Sequence, residues 1–156
     1  GWRVGASIGP KRIIEQIARF NINDESCTNH FIQHALAETL QDSDSNSASI
    51  LNELKKRRDI CLTILNSING INLPKPESTF YLFLNVTSIM SDKGYDNLDE
   101  FRVEALKATG VSFCTRHHFG TSLKEETKKY IRLAYSGIDQ NDINAGLIHF
   151  KNWIEG

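Results

Sequence analysis

The chain has 156 residues, 40% apolar and 24% charged, with a formal net charge of −1. That balance suits one domain with a real core, or a small domain plus part of another, and argues against disorder. A near-neutral chain has no global field to draw it to nucleic acid or an anionic membrane, and its longest apolar runs, such as "FYLFLNV", are strand-length rather than membrane-spanning. The opening "GWRVGASIG" offers strand-like residues with no polar leader, which suggests a piece of a longer chain. Gly9-Pro10 then opens a helix, with Ile13, Ile14, Ile17 and Phe20 at helical spacing. Asn21 to Glu25 reads as a polar break, and Ser26 as the cap of a second helix carrying Phe31, Ala35, Leu36 and Leu40. "QDSDSNSAS", residues 41–49, reads as a linker. A long helix is expected next, with Ile50, Leu51, Leu54, Cys61, Ile64, Leu65 and Ile68 as its stripe and Asn69-Gly70 as its stop. "STFYLFLNV" is a strand by its aromatic and β-branched content. Leu98 to Thr109 is a helix stopped by Gly110, "VSFC" and "YIRLAY" are strands, and Ile138 to Ile154 is a final helix turning Ile143, Leu147, Phe150, Trp153 and Ile154 inward. Three strands with helices set around them predict a small open sheet covered by helices.

Several residues invite chemistry. Cys27, Cys61 and Cys114 are an odd set without C-x-x-C spacing, which argues against a disulfide framework or a zinc site and makes a reducing, cytoplasmic compartment the default. His117 and His118 are adjacent and point apart on an extended segment, so they make a poor chelate; a pair that caps or hydrogen-bonds is the expectation. Cys114, in an apolar strand, reads as a core thiol rather than a nucleophile. The basic run Lys55 to Arg58 reads as one solvated turn. Arg3 is either a surface arginine in a turn or a phosphate or carboxylate clamp. Arg132 lies mid-strand on the face opposite Ile131, Leu133 and Tyr135, and arginine is rarely buried unpaired. Its partner is a structural carboxylate such as Glu125 or Glu126, open water, or an anionic ligand.

Taken in order, "GWRVG" (1–5), "PESTFYLFLNV" (76–86), "GVSFCTRHHFG" (110–120) and "YIRLAYSG" (130–137) resemble the C-terminal part of a pyridoxal-phosphate-dependent aminotransferase of classes I and II, aspartate aminotransferase superfamily, fold type I. The resemblance implies an α/β fold. Residues 1–49 would be the helical tail of the large cofactor-binding domain, and 50–156 the small domain with a mostly antiparallel open sheet. It implies that Arg3 binds the cofactor phosphate and that Arg132 binds the substrate α-carboxylate. The Schiff-base lysine, the glycine-rich phosphate loop, the ring-stacking aromatic and the aspartate facing the ring nitrogen would all lie outside this chain. Alone, these residues would then be inactive and would not bind the cofactor. The parent would be a homodimeric transaminase moving an amino group between an amino acid and a 2-oxo acid, without metal, nucleic acid or membrane. Where the family often carries Pro-Gly, this chain has Thr115-Arg116-His117-His118, and Arg116 or the histidines become candidates to adjust side-chain specificity. A non-catalytic binding or assembly module of the same superfamily is the alternative.

Overall fold

The computed structural model describes residues 2–41 and 43–156; Gly1 of the opening motif and Asp42 of the expected linker lie outside them. The chain divides into two compact units, Gly1–Ser49 and Ile50–Gly156.

In the first unit, residues 2–10 have no regular structure, contrary to their strand-like composition. Trp2 meets Phe31 edge-on with centroids 5.5 Å apart. Pro10 sits at the cap of α1 (Lys11–Asp24), and its carbonyl accepts from the N–H groups of Ile13 and Ile14. The helix runs through most of the expected break. Ser26 does not cap the second helix: it takes φ 64, and its N–H returns to the Asn21 carbonyl, so it terminates α1 instead. α2 (His30–Gln41) begins after Asn29, whose side-chain oxygen accepts from the Phe31 N–H. Among the described residues of this unit only Ile32 is buried; Ile13, Phe20, Phe31 and Leu40 remain about half exposed or more.

α3 (Ser43–Leu65) begins in the first unit and ends in the second. The expected linker is therefore helical from Ser43 onward. Ser, Asp and Asn favour helix starts as strongly as loops, so composition could not separate the two. Only the later part of the expected stripe is buried; Ile50 and Leu51 are more than half exposed, while Cys61 and Leu65 lie in the core. The basic run is not one solvated turn. Lys55 and Lys56 are exposed, but Arg57 is largely covered, donating to Glu53 Oε1 (2.8 Å) and to the Ser136 carbonyl (2.7 Å), and Arg58 pairs with Asp59. Arg57, and the Gln140 amide after it, hold the Glu53 carboxyl below the usual carboxylate range. The helix stops short of Asn69-Gly70, because the N–H groups of Ser67 and Ile68 turn back to the Ile64 and Leu65 carbonyls. Gly70 has φ 87, and a Cβ there would stand 2.8 Å from Ser88 Oγ.

The sheet has three antiparallel strands, β1 (Tyr81–Asn85), β2 (Cys114–Thr115) and β3 (Tyr130–Ala134), in the order β1-β3-β2. "VSFC" supplies only Cys114 to its strand. Between β1 and β2 come α4 (Thr87–Asp92), a short helix the periodicity did not reveal, and α5 (Leu98–Thr109). α5 has the expected bounds: Asn97 caps it, accepting from the N–H groups of Asp99 and Glu100, and Gly110 ends it at φ 74. α6 (Gln140–Glu155) follows β3, capped by Asp139. One sheet face, carrying Leu82, Leu84, Ile131 and Leu133, packs with Phe101, Leu147, Phe150 and Leu65 in a single core. Ile143, Leu147 and Phe150 point inward as expected, whereas Trp153 and Ile154 are half-buried. Phe101, Phe113, Phe150 and Trp153 form a ring cluster with centroids 5.2–6.2 Å apart. Each fully buried Leu or Phe contributes about 1.5–3 kcal/mol, so this core holds the sheet in place.

Candidate functional site

The opposite sheet face is not covered by the core. Its floor is Tyr81 and Phe83 from β1 and Tyr130, Arg132 and Ala134 from β3, as the period-two alternation requires. Phe83 and Tyr130 stack at 4.8 Å and 4°. Arg132 lies on the central strand, hydrogen-bonded on both sides, opposite Phe83 in one ladder and Cys114 in the other.

Arg132 has no carboxylate partner among the described residues. Its Cζ lies 4.1 Å from the Tyr81 ring centroid and 4.6 Å from that of Phe119, and Nη2 approaches Cys114 Sγ at 3.7 Å, a weak contact. Aromatic faces take a cation from above and leave the in-plane N–H donors available. Glu126, considered as its partner from the sequence, is held by Arg116 at 2.9 Å, and Glu125 is exposed. Cys114 corrects the core-thiol reading: it is half-buried and faces Arg132, and the deeply buried thiol is Cys61, which burial pushes up to about 11.

A 3-10 turn, Arg116–Phe119, leads Phe119 to this face. His118 Nδ1 accepts from the Thr115 N–H at 3.1 Å. Thr115 Oγ1, fully buried, donates to Asp99 Oδ1 at 3.1 Å, and His117 Nδ1 donates to Asp99 Oδ2 at 3.1 Å. These bonds, the His117 contact foremost, hold the Asp99 carboxyl below its usual range. The two histidines thus go to separate partners. Arg116 also reaches the carbonyls of Gly120 and Thr121 at 3.3 and 3.4 Å. Beside the stacked pair, Phe83, Arg116, Leu123, Glu125, Glu126 and Tyr130 line an open concavity of about 370 Å³.

Arg3 lies in the first unit, in the irregular segment between Trp2 and α1. It is exposed and has no ion pair or hydrogen bond among the described residues. Within the second unit the structure brings Arg132 together with Tyr81, Phe119 and Cys114; Arg3 belongs to the first unit. The alternation that placed Arg132 also puts Tyr81 and Phe83 on one face, but nothing in the sequence signals that Phe119 reaches it. Among the described residues no group of three or more His, Cys, Asp or Glu is placed to hold a metal, and no helix is long and apolar enough to cross a membrane.

Comparison with known proteins points one way. The chain is 27% identical over 99% of its length to an aspartate aminotransferase of Sulfolobus acidocaldarius, covering 37% of that protein. It is 30% identical over 97% of its length to an LL-diaminopimelate aminotransferase of Halothermothrix orenii, covering 36% of that protein. A solved aspartate aminotransferase double mutant of Thermus thermophilus shares the fold with TM-score 0.75 at 21% identity, over 97% of this chain and 37% of that one. The chain thus spans little more than a third of the length of these relatives. The sequence pattern of aminotransferase class I and II matches residues 1–149, and the chain belongs to that family.

Proposed function

We propose that this chain forms the C-terminal part of a pyridoxal-phosphate-dependent aminotransferase, with Gly1–Ser49 as the tail of its large domain and Ile50–Gly156 as its small domain. The observation that carries the reading is Arg132. It is a guanidinium on a central strand, flanked by rings and lacking a carboxylate partner among the described residues. An amino acid must be held in one orientation while bonds at its α-carbon react. A fork on a rigid strand does this through two parallel charge-assisted hydrogen bonds to the α-carboxylate.

Arg3, exposed and unpaired among the described residues, has the donor chemistry for the cofactor phosphate. When bound, pyridoxal phosphate supplies the electron sink for amino-group transfer. The lysine that attaches it is expected upstream of Gly1, so the 156 residues alone are expected to be inactive. The substrates are an amino acid and a 2-oxo acid, as the relatives' names suggest, in a cytoplasmic homodimer.

Arg132→Lys in the transaminase carrying this chain tests the assignment. Lysine keeps the charge but loses the fork, and losing a charge-assisted bond costs about 1.5–3 kcal/mol, roughly ten- to hundredfold in kcat/KM. Cofactor affinity stays near wild type. Unchanged kcat/KM removes Arg132 from the site.

A further inference from the structure

We propose that Phe119 is a positioning residue for the Arg132 guanidinium, and that the turn ties carrying it exist to hold that ring in place. The inference rests on the assignment of Arg132 to the substrate carboxylate. Arg132 is on the central strand, and each flank supplies one ring. Tyr81 comes from β1 itself, with its backbone fixed in the ladder opposite Ala134. Phe119 comes from the far side, four residues beyond β2, and belongs to no strand.

A ring on a short turn would swing unless the turn were tied, and this one is tied from both sides. On one side, Thr115 and His117 both bond to Asp99, the second residue of α5, which the Asn97 cap fixes. Within the turn, the Thr115 N–H donates to His118. On the other side, the Arg116–Glu126 pair spans the following loop, and Arg116 also holds the carbonyls of Gly120 and Thr121. Each polar side chain from Thr115 to His118 is engaged in this way. Phe119, nearly half exposed, packs its face on Arg132 instead of entering the core.

Two cation–π contacts restrict the guanidinium's tilt, and a planar fork held in one plane loses less freedom when a carboxylate arrives. Arg116, for its part, is committed to Glu126 and two carbonyls. It acts through Phe119 and is not a second anion site.

The test has a spectroscopic arm and a kinetic arm. In the 156-residue chain, the Arg132 Nε–H resonance is expected upfield of unstructured arginines, because the ring faces shield it. Phe119→Leu moves it toward them, Phe119→Tyr leaves it in place, and Glu126→Gln moves it part of the way. In the full transaminase, Phe119→Leu raises KM for both substrates about two- to tenfold, the range for one exposed to partly buried cation–π contact, with kcat within about twofold. Phe119→Tyr restores KM. A resonance that does not move in Phe119→Leu overturns the proposal whatever the kinetics. A resonance that moves while KM stays fixed overturns the link to the carboxylate. If Arg132→Lys also leaves KM unchanged, the assignment of Arg132 is what fails, and the proposal falls with it; if only Arg132→Lys raises KM, that assignment stands and the role of Phe119 is rejected.

Discussion

α1 and α6 are helices of similar length, fourteen and sixteen residues, and both carry apolar residues at helical spacing. α6 buries Ile143, Leu147 and Phe150, whereas α1 buries nothing and leaves Ile13 and Phe20 largely in water. The contrast extends to their units: Ile50–Gly156 has a continuous core from Cys61 to Phe150, and among the described residues Gly1–Ser49 contributes Ile32 alone to the buried set. Amphipathic spacing states that a face must be covered and does not name the cover. For α6 the cover is the core it shares with α5 and the inner residues of the strands; for α1 we expect it from the rest of a longer chain or from a second copy.

The largest expected effect is on stability. Phe101→Ala in the core should cost about 3–5 kcal/mol. Phe20→Ala in α1 should stay within about 0.5 kcal/mol. Urea denaturation of the 156-residue chain measures both, and equal losses would break the comparison.

Next comes association. Each Ile or Phe buried at a contact is worth about 1.5–3 kcal/mol, so an Ile13→Ser, Phe20→Ser double variant should weaken self-association at least tenfold in sedimentation. If the chain associates and the variant does so equally well, the α1 face is not the cover.

A smaller effect separates the helix starts. Asn97→Ala removes a side-chain cap from α5 and should cost about 1 kcal/mol in the same denaturation series. Pro10 makes no side-chain bond at the start of α1, so Pro10→Ala should cost far less.

The smallest effect is on pH dependence. The folded-state pKa of Asp99 is lowered, first by the His117 bond. The stabilisation from Asp99 is therefore fully present above the ordinary aspartate value of about 3.9 and is lost as pH falls through the lower folded value. Amide signals of Thr115 and His117 should shift in that acid window, and Asp99→Asn should abolish the shift. Asp99 is half exposed, so the effect on global stability is small.

Much of the second unit was legible because its signals are local. Asn97 and Gly110 bracket α5, and alternation alone put Arg132 on the outer face. Where two structures share one composition, legibility failed. The Ser- and Asp-rich stretch before Ile50 suits a helix start as well as a loop, and Ser26 suits a helix end as well as a cap. The partners of Arg132 were hidden for another reason. Phe119 and Tyr81 meet it only through pairing between distant segments, and Glu126 was a reasonable partner until Arg116, on a neighbouring loop, proved nearer. Cys114 was misplaced because a two-residue strand is too short for its alternation to be read.

The strand order β1-β3-β2 has a kinetic consequence. β3 is the last strand in the chain, yet it forms the middle of the sheet, joining Tyr81 to Ala134 on one side and Thr115 to Ile131 on the other. Neither ladder is a tight hairpin, so long loops must close before the pairing returns any free energy. Until β3 inserts, β1 and β2 have no common neighbour and Arg132 has neither of its rings. The ring-flanked Arg132 cluster therefore forms late, in the same step that closes the sheet. A folding intermediate lacking β3 would expose two unpaired edges, and during synthesis that vulnerable interval lasts until residue 134 is available.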